Sequence, residues 1–172
     1  MKVITAPDQS MGLTRYDVRC FLAGGITGCW DWQEAVINEL SRYPADDLVI
    51  LNPRRKNFPI GDPNAAYEQI SWEFSWLECC DIFSMYFVAS SSDQPICMYE
   101  LGRNILNMQT TFTSSYLDRI VITCETGYRR QQDVEIQSRL ALNEDILTNP
   151  CNVEGHAARI IECYNRIQTL WR

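Results

Sequence analysis

The amino-acid sequence predicts an α/β fold in which helices cover a mostly parallel β-sheet. Short apolar runs alternate along the chain with segments of helical periodicity, as parallel sheets with helical crossovers require. Loops rich in glycine or proline follow several of these runs. The length of 172 residues, at about 150 residues per domain, predicts one domain over residues 1–172, and no repeat or shift in composition marks a boundary.

The first strand and the first helix lie on either side of a glycine-rich loop. The apolar run Val18–Ala23 predicts a strand, and Gly24–Gly28 is typical of a turn. Asp31, with Glu34 three residues later, is typical of a capping box. This pattern predicts a helix that ends at Tyr43, before a proline.

The middle of the chain predicts two more strands and a long loop. Leu48–Leu51 is the second strand, and Asn52–Asn64 contains three prolines and one glycine. A loop of this length is long enough for a functional lid. A helix over Ala65–Cys79 then leads directly into a third strand, Asp81–Val88, and Ser90–Pro95 is the next loop.

The rest of the chain predicts three helices and one or two strands. A helix over Ile96–Met108 precedes the fourth strand, Ile120–Cys124. Arg130–Leu142 is predicted as a helix, and Asp145–Leu147 as a short fifth strand. Val153–Leu170 carries apolar residues at helical spacing and predicts the terminal helix.

These elements predict a single-domain, flavodoxin-like, doubly wound sheet of four to five mostly parallel strands with helices on both faces. In such sheets the ligand binds at the carboxyl ends of the strands, where the strand order reverses. We therefore expect functional residues in or beside three loops, at residues 24–28, 52–64 and 90–95.

Composition and charge exclude several classes of partner. The chain has 22 acidic and 15 basic residues, and the net charge of −7 disfavours nucleic acid and anionic membranes. None of the eight cysteines forms a C-x-x-C motif, and no secretory signal or membrane-spanning stretch is evident. We therefore expect a cytoplasmic protein without metal or cofactor. The only histidine, His156, is interpreted as an ordinary helix residue.

Two glutamates carry the predicted chemistry. Glu73 shares a helix face with Ile70, Trp76 and Leu77, and burial there would raise its pKa and make it a proton donor. The alternative is a solvent-facing side chain, as for most glutamates. Glu100 lies near the amino end of a helix, where the dipole favours an ionised carboxylate, whether as a nucleophile or only as a dipole partner. One attacking and one proton-donating carboxyl group is the arrangement of retaining glycosidases.

Four segments give the sequence a resemblance to a known family. They are Phe21–Ile26 (FLAGGI), Asn52–Arg55 (NPRR), Glu73–Ile82 (EFSWLECCDI) and Tyr99–Arg103 (YELGR). Together they resemble the nucleoside 2-deoxyribosyltransferase superfamily, over a stretch from about residue 18 to about residue 137. The most specific element is Glu-Leu-Gly at the start of a helix that follows the Asp-Ile strand.

The resemblance implies roles for individual residues. Glu100, in the Glu-Leu-Gly motif, is implied to be the nucleophile. Glu73, eight positions before Asp81, is implied to assist the departing base. Gln94, six positions before Glu100, stands where the family contacts the sugar 5′ position and departs from the Asp or Ser usual there, with Asp93 beside it.

Further substrate-binding candidates surround these two glutamates. The loop residues Gly24, Gly25 and Ile26 either offer backbone amides to an anion or only allow the chain to turn. This loop also lacks the Ser-x-Arg of relatives that require a 5′-phosphate. Candidates for stacking a base, with core packing as the alternative, are Trp30, Trp32, Trp72 and Tyr99. Candidates for a 5′ substituent, with a solvated face as the alternative, are Arg54 and Arg55.

The resemblance also implies an assembly and an activity. Asp133 stands where relatives offer an Asn to a neighbouring subunit's site, which implies a homo-oligomer, a dimer or larger. The implied activity is transfer of deoxyribose from a 2′-deoxynucleoside to another nucleobase, through a covalent intermediate on Glu100. One alternative is an N-glycoside hydrolase that uses water as the acceptor. A second is a nucleotide-binding module that has lost catalysis.

Overall fold

Five parallel strands form the sheet of this protein. The computed structural model describes residues 1–9 and 12–171. In this part of the chain the strands are β1 (Lys2–Thr5), β2 (Val18–Gly24), β3 (Leu48–Asn52), β4 (Ile82–Phe87) and β5 (Ile120–Cys124). Their order across the sheet is β1-β3-β2-β4-β5, and every neighbouring pair is parallel.

Helices cover both faces of this sheet. They are α1 (Trp32–Leu40), α2 (Ala65–Cys79), α3 (Pro95–Phe112), α4 (Gln131–Leu142) and α5 (Val153–Trp171). Because successive strand residues point to opposite faces, Phe21 packs with the α2, α3 and α4 layer, while Leu22 packs with the α1 and α5 layer. The predicted flavodoxin-like, doubly wound α/β fold is confirmed.

The strand order places a crevice at the carboxyl ends of β2 and β4. The chain passes from β2 to β3 on one side and then crosses to β4 on the other side of β2. The loops that follow β2 and β4 therefore diverge, and ligands of doubly wound sheets bind where they separate. This crevice lies beside the predicted loops 24–28 and 90–95.

Two strand predictions need correction. The edge strand β1 was not predicted, because its residues are only half-buried or exposed and lack a continuous apolar run. The predicted strand Asp145–Leu147 is reduced to one bridge, in which Leu147 pairs with Ile122 of β5. This segment contains only one pair of apolar residues, so it does not form a continuous strand beside the edge strand β5.

The helices follow the predictions more closely. Asp31 caps α1 as predicted, since its carboxylate accepts a hydrogen bond from the N–H of Glu34 at 3.0 Å. The helix ends at Leu40 instead of Tyr43, because the chain tightens into a turn in which the Tyr43 N–H donates to the Leu40 carbonyl at 3.0 Å. No helix among residues 1–9 and 12–171 combines the length and apolar character needed to cross a membrane.

His156 is a fully buried structural residue. Its Nε2 lies 2.6 Å from Ser84 Oγ, and its Nδ1 lies 2.7 Å from Thr123 Oγ1. Burial lowers the pKa of this imidazole to about 3, so the ring is neutral and satisfies one hydroxyl as donor and one as acceptor. The contacts tie α5 to β4 and β5. Because its side chain is fully buried, His156 cannot contact a substrate in this structure.

Replacing His156 with alanine should strongly destabilise the protein. The change leaves the Ser84 and Thr123 hydroxyls without this partner and removes an imidazole that packs edge-on against the Tyr86 ring at 5.2 Å. We expect a loss of about 3 to 5 kcal/mol in the free energy of unfolding, measured by urea denaturation. Thr169→Ala, at an exposed position of the same helix, should change it by less than about 0.5 kcal/mol. Equal effects of the two variants would contradict this role.

Candidate active site

One cavity of about 230 Å³ opens at the carboxyl ends of β2 and β4. Its walls come from β2 and the loop after it, the start of α3 and the loop before it, α2, and the loop after β3. The lining residues are Phe21, Ala23, Gly24, Gly25, Ile26, Thr27, Pro53, Glu73, Ser92, Gln94, Pro95, Ile96, Cys97 and Glu100. Both predicted catalytic glutamates therefore face the same space.

Glu73 reaches the cavity from the middle of α2. Burial is the main influence on this carboxyl group and raises its pKa. The amide of Gln69, one helical turn earlier, donates a hydrogen bond to Glu73 Oε1 at 2.7 Å, and this contact and the charge of Arg55 lower the pKa in part. Ile70 does not bury Glu73 as the periodicity predicted, since its own side chain is 62% exposed.

Glu100 reaches the same cavity from the second turn of α3. Burial, and next the negative charge of Glu73, raise its pKa to about 7, while Arg103 opposes this rise. The two carboxyl groups therefore titrate as an interacting pair, and their protons belong to the pair. Because the charge of Glu73 raises the pKa of Glu100, the last proton of the pair rests mainly on Glu100 in the free protein. The form with that proton on Glu73 and with Glu100 ionised supplies one nucleophilic carboxylate and one acid.

Cys97 lies one turn before Glu100 and also lines the cavity. Burial, and next the charge of Glu100, raise the pKa of its thiol to about 12. The thiol therefore stays protonated at neutral pH and does not compete with Glu100 as a nucleophile.

Glycine is required at the last position of β2 and at the first position of the loop that follows it. A Cβ on Gly24, whose φ is +151°, would lie 2.3 Å from the carbonyl oxygen of Tyr86. A Cβ on Gly25 would lie 2.5 Å from Gln94 Oε1 and 2.6 Å from Cys29 Sγ. These glycines let the loop approach β4 and the start of α3 closely, and this approach closes one wall of the cavity.

Arg54 fixes the same loop from outside the cavity. Its Nη2 donates to the carbonyl oxygens of Ile26 at 3.2 Å and Trp30 at 3.0 Å. Because its guanidinium binds loop carbonyls, Arg54 has a structural role, which replaces both of the alternatives drawn from the sequence. Among the described residues, none accepts a hydrogen bond from the N–H groups of Ile26 and Thr27, which belong to the cavity lining, so water or a ligand can accept from them.

Gln94 lies in the cavity wall and is buried. Its Nε2 donates to the Val88 carbonyl at 2.7 Å, and its Oε1 accepts from the Val88 N–H at 3.2 Å. The residue adopts a left-handed conformation with φ +47°. Its amide therefore closes the loop after β4 and presents no charge to the cavity, unlike an aspartate at this position.

Four predicted substrate-binding residues lie outside the cavity lining. Trp72 is buried beside Phe21, with ring centroids 5.9 Å apart, and donates from its indole to the Asp8 carbonyl. Tyr99 is 67% exposed. Asp93 and Asp133 line a separate groove between α3 and α4, paired with Arg129 and Arg130, respectively. The other aromatic candidates are also held elsewhere, Trp32 stacked on Tyr86 and Trp30 hydrogen-bonded to Glu125.

The structure adds three residues that the sequence interpretation missed. Cys97 and Gln69 lie three and four residues before Glu100 and Glu73, so helical spacing could have found both. Ser92 lines the cavity from an irregular loop, where no periodic signal exists. Within residues 1–9 and 12–171, no group of three or more His, Cys, Asp or Glu side chains is placed to hold a metal ion.

The part of the chain that builds this site matches a known protein family. No curated protein matches the chain. A family model described as nucleoside 2-deoxyribosyltransferase like matches residues 17–113, from just before β2 to just after α3, and this stretch contains both glutamates of the cavity. Because the match spans more than half of the 172 residues, the chain belongs to the nucleoside 2-deoxyribosyltransferase-like family.

Proposed function

We propose that this protein transfers 2-deoxyribose from a 2′-deoxynucleoside to another nucleobase through a covalent intermediate on Glu100. The observation that carries the proposal is the pair of half-buried carboxyl groups, Glu73 and Glu100, with raised pKa values on one cavity at the strand-order reversal. Membership in the family supports handling of a nucleoside by a transferase-like enzyme. Two carboxyl groups of this kind match double displacement at an anomeric carbon.

In the first step the Glu100 carboxylate attacks C1′ of the deoxynucleoside. The bond between C1′ and the base nitrogen breaks, and its electron pair leaves with the base. Glu73, in its protonated form, delivers a proton to the base, so a neutral nucleobase departs. The sugar lacks a 2′-hydroxyl, and without that electron-withdrawing group the positive charge on the ring develops at lower cost.

In the second step an incoming base reverses this chemistry. Its ring nitrogen attacks C1′, the ester bond to Glu100 breaks, and Glu100 leaves as a carboxylate. Glu73, ionised after the first step, takes the proton from the incoming base. Atoms and charges balance over the two steps, so no metal, redox cofactor or other co-reactant is required.

The charges around the cavity favour an uncharged nucleoside over a nucleotide. Among the described residues, Glu73 and Glu100 are the carboxyl groups of the lining, and no lysine, arginine or histidine side chain lines it. A phosphate monoester would meet these two acids without a cation to pair with. The N–H groups of Ile26 and Thr27 on the lining can donate to hydroxyl or carbonyl oxygens of such a substrate.

We also propose that the protein forms a homo-oligomer, a dimer or larger. α2 buries few residues and exposes large apolar side chains on the side away from the sheet, at Tyr67, Ile70 and Phe74. α3 exposes Ile96 and Tyr99 near the cavity. A second copy of the chain would cover this apolar face and shield the intermediate from water. An activity on free nucleosides and nucleobases suits a cytoplasmic protein.

Base exchange tests the proposed function directly. The protein is incubated with deoxyadenosine, with and without cytosine, and the products are separated by chromatography. We expect deoxycytidine and adenine when cytosine is present. Release of adenine without formation of deoxycytidine would show that the protein is a hydrolase and not a transferase. The absence of any product over a panel of nucleosides and nucleotides would overturn the catalytic proposal. Glu100→Gln protein, purified in the same way, excludes a contaminating enzyme.

A further inference from the structure

Gln69 connects Glu73 to the loop that follows β3. It lies four residues before Glu73 on α2, so both side chains project from the same face of the helix. Its Nε2 donates to Glu73 Oε1 at 2.7 Å and to the carbonyl oxygen of Pro53 at 2.7 Å. Pro53 and Glu73 line the cavity, whereas Gln69 lies behind them.

The orientation of the Gln69 amide follows from these partners. A backbone carbonyl such as that of Pro53 only accepts hydrogen bonds, so the NH₂ end of the amide must face it. The reversed amide would place its oxygen against two acceptors. The observed orientation leaves Gln69 Oε1 buried with no hydrogen-bond partner among the described residues. A buried unpaired oxygen is unfavourable, which indicates that the two donated bonds determine the orientation.

We propose that Gln69 is a positioning residue that fixes Glu73 Oε1 as an acceptor, so that the acid proton of Glu73 is carried by Oε2. Both hydrogens of the Gln69 NH₂ group are used, one on Pro53 and one on Glu73. Glu73 Oε1 therefore faces the Gln69 donor whether Glu73 is protonated or ionised. No described residue binds Oε2, which leaves this oxygen for the departing base.

This role rests on the proposed function, because it specifies which oxygen of Glu73 transfers the proton. It also accounts for how an acid on α2 keeps its place relative to a cavity built mainly from other elements. The bridge to Pro53 links α2 to the loop after β3. A carboxyl group held in one rotamer delivers its proton along one direction, and small misplacements of such groups are costly in rate.

Gln69→Met tests the role, because methionine has a similar volume and high helix propensity but no N–H donor. We expect kcat for base exchange to fall about tenfold while KM changes less than about twofold. The pKa of Glu73, followed by NMR of the ¹³C-labelled carboxyl group, should rise, because the Gln69 hydrogen bond lowers it in the unmodified protein. Arg55, whose charge lowers the pKa of Glu73, and Glu100, whose pKa the charge of Glu73 raises, are unchanged in this variant.

Gln132→Met, at an exposed position on α4, is the matched control and should change neither readout. Gln69→Leu serves as a second variant that also lacks the donor. An unchanged Glu73 pKa in both Gln69 variants would overturn the role, as would a raised pKa with unchanged kcat. If the unmodified protein exchanged no bases, the proposed function would fail, and the titration alone would then decide whether Gln69 holds Glu73.

Discussion

Glu100→Gln should abolish base exchange and leave the protein folded. The amide keeps the shape of the side chain but has no ionisable oxygen to attack C1′. Loss of a nucleophile typically lowers kcat by on the order of 10⁴-fold or more. In the unmodified protein, mass spectrometry of peptides after rapid acid quenching should find deoxyribose on the peptide that contains Glu100. The variant should give neither product nor adduct.

The same substitution should stabilise the protein at alkaline pH. The pKa of Glu100 is raised from 4.5 to about 7, so the folded state holds a proton that the unfolded chain has lost between these values. Stability contributed by this group is therefore present below about pH 4.5 and is lost as the pH rises to about 7. Glutamine has no proton to lose, so the variant should gain at most about 3 kcal/mol above neutrality.

Thermal melting of the two proteins over a range of pH measures this difference. The melting temperature of Glu100→Gln should exceed that of the unmodified protein at about pH 8.5 and match it near about pH 4.5. Glu144→Gln removes the same charge from an exposed loop position and should show no such trend. A large loss of stability in Glu100→Gln at every pH would indicate a structural residue and would count against its catalytic role.

The buried elements of the fold could be predicted because full burial requires continuous apolar runs. β5 has the predicted bounds, Ile120–Cys124, and all its residues are buried. β1 was missed because an edge strand needs only one partner and tolerates exposed side chains. The Asp145–Leu147 segment shows the opposite error, since its short apolar pattern forms only one bridge to the sheet.

Site residues near helix starts or strand ends could be predicted from the sequence. Residues were harder to predict where the direction of the side chain determines whether it faces the cavity. Glu100 follows β4 by a short loop, so topology alone directs it to the crevice. Trp72 and Tyr99 lie on the same two helices as the glutamates, but a modest rotation about each helix axis decides between cavity, core and solvent. Gln94 shows a further limit, because its buried bonds to Val88 depend on a left-handed backbone that the sequence does not signal.

Glu73→Gln should slow release of the base by about 10² to 10⁴-fold, because the variant cannot protonate the leaving group. The loss should depend on the leaving group. A p-nitrophenyl 2-deoxyriboside, whose phenolate departs without a proton, should lose far less activity than deoxyadenosine. Glu34→Gln, on the exposed side of α1, should retain the activity of the unmodified protein on both substrates.

Glu73→Gln should change both the pH profile of the reaction and the titration of Glu100. The alkaline limb of kcat/KM, where the unmodified enzyme loses its acid, should disappear. The pKa of Glu100, followed by NMR of its ¹³C-labelled carboxyl group, should fall below about 7, because the charge of Glu73 raises it and glutamine carries no charge. An unchanged pKa of Glu100 would indicate that the two carboxyl groups act independently. Equal losses on both substrates would show that Glu73 positions the sugar and does not protonate the base.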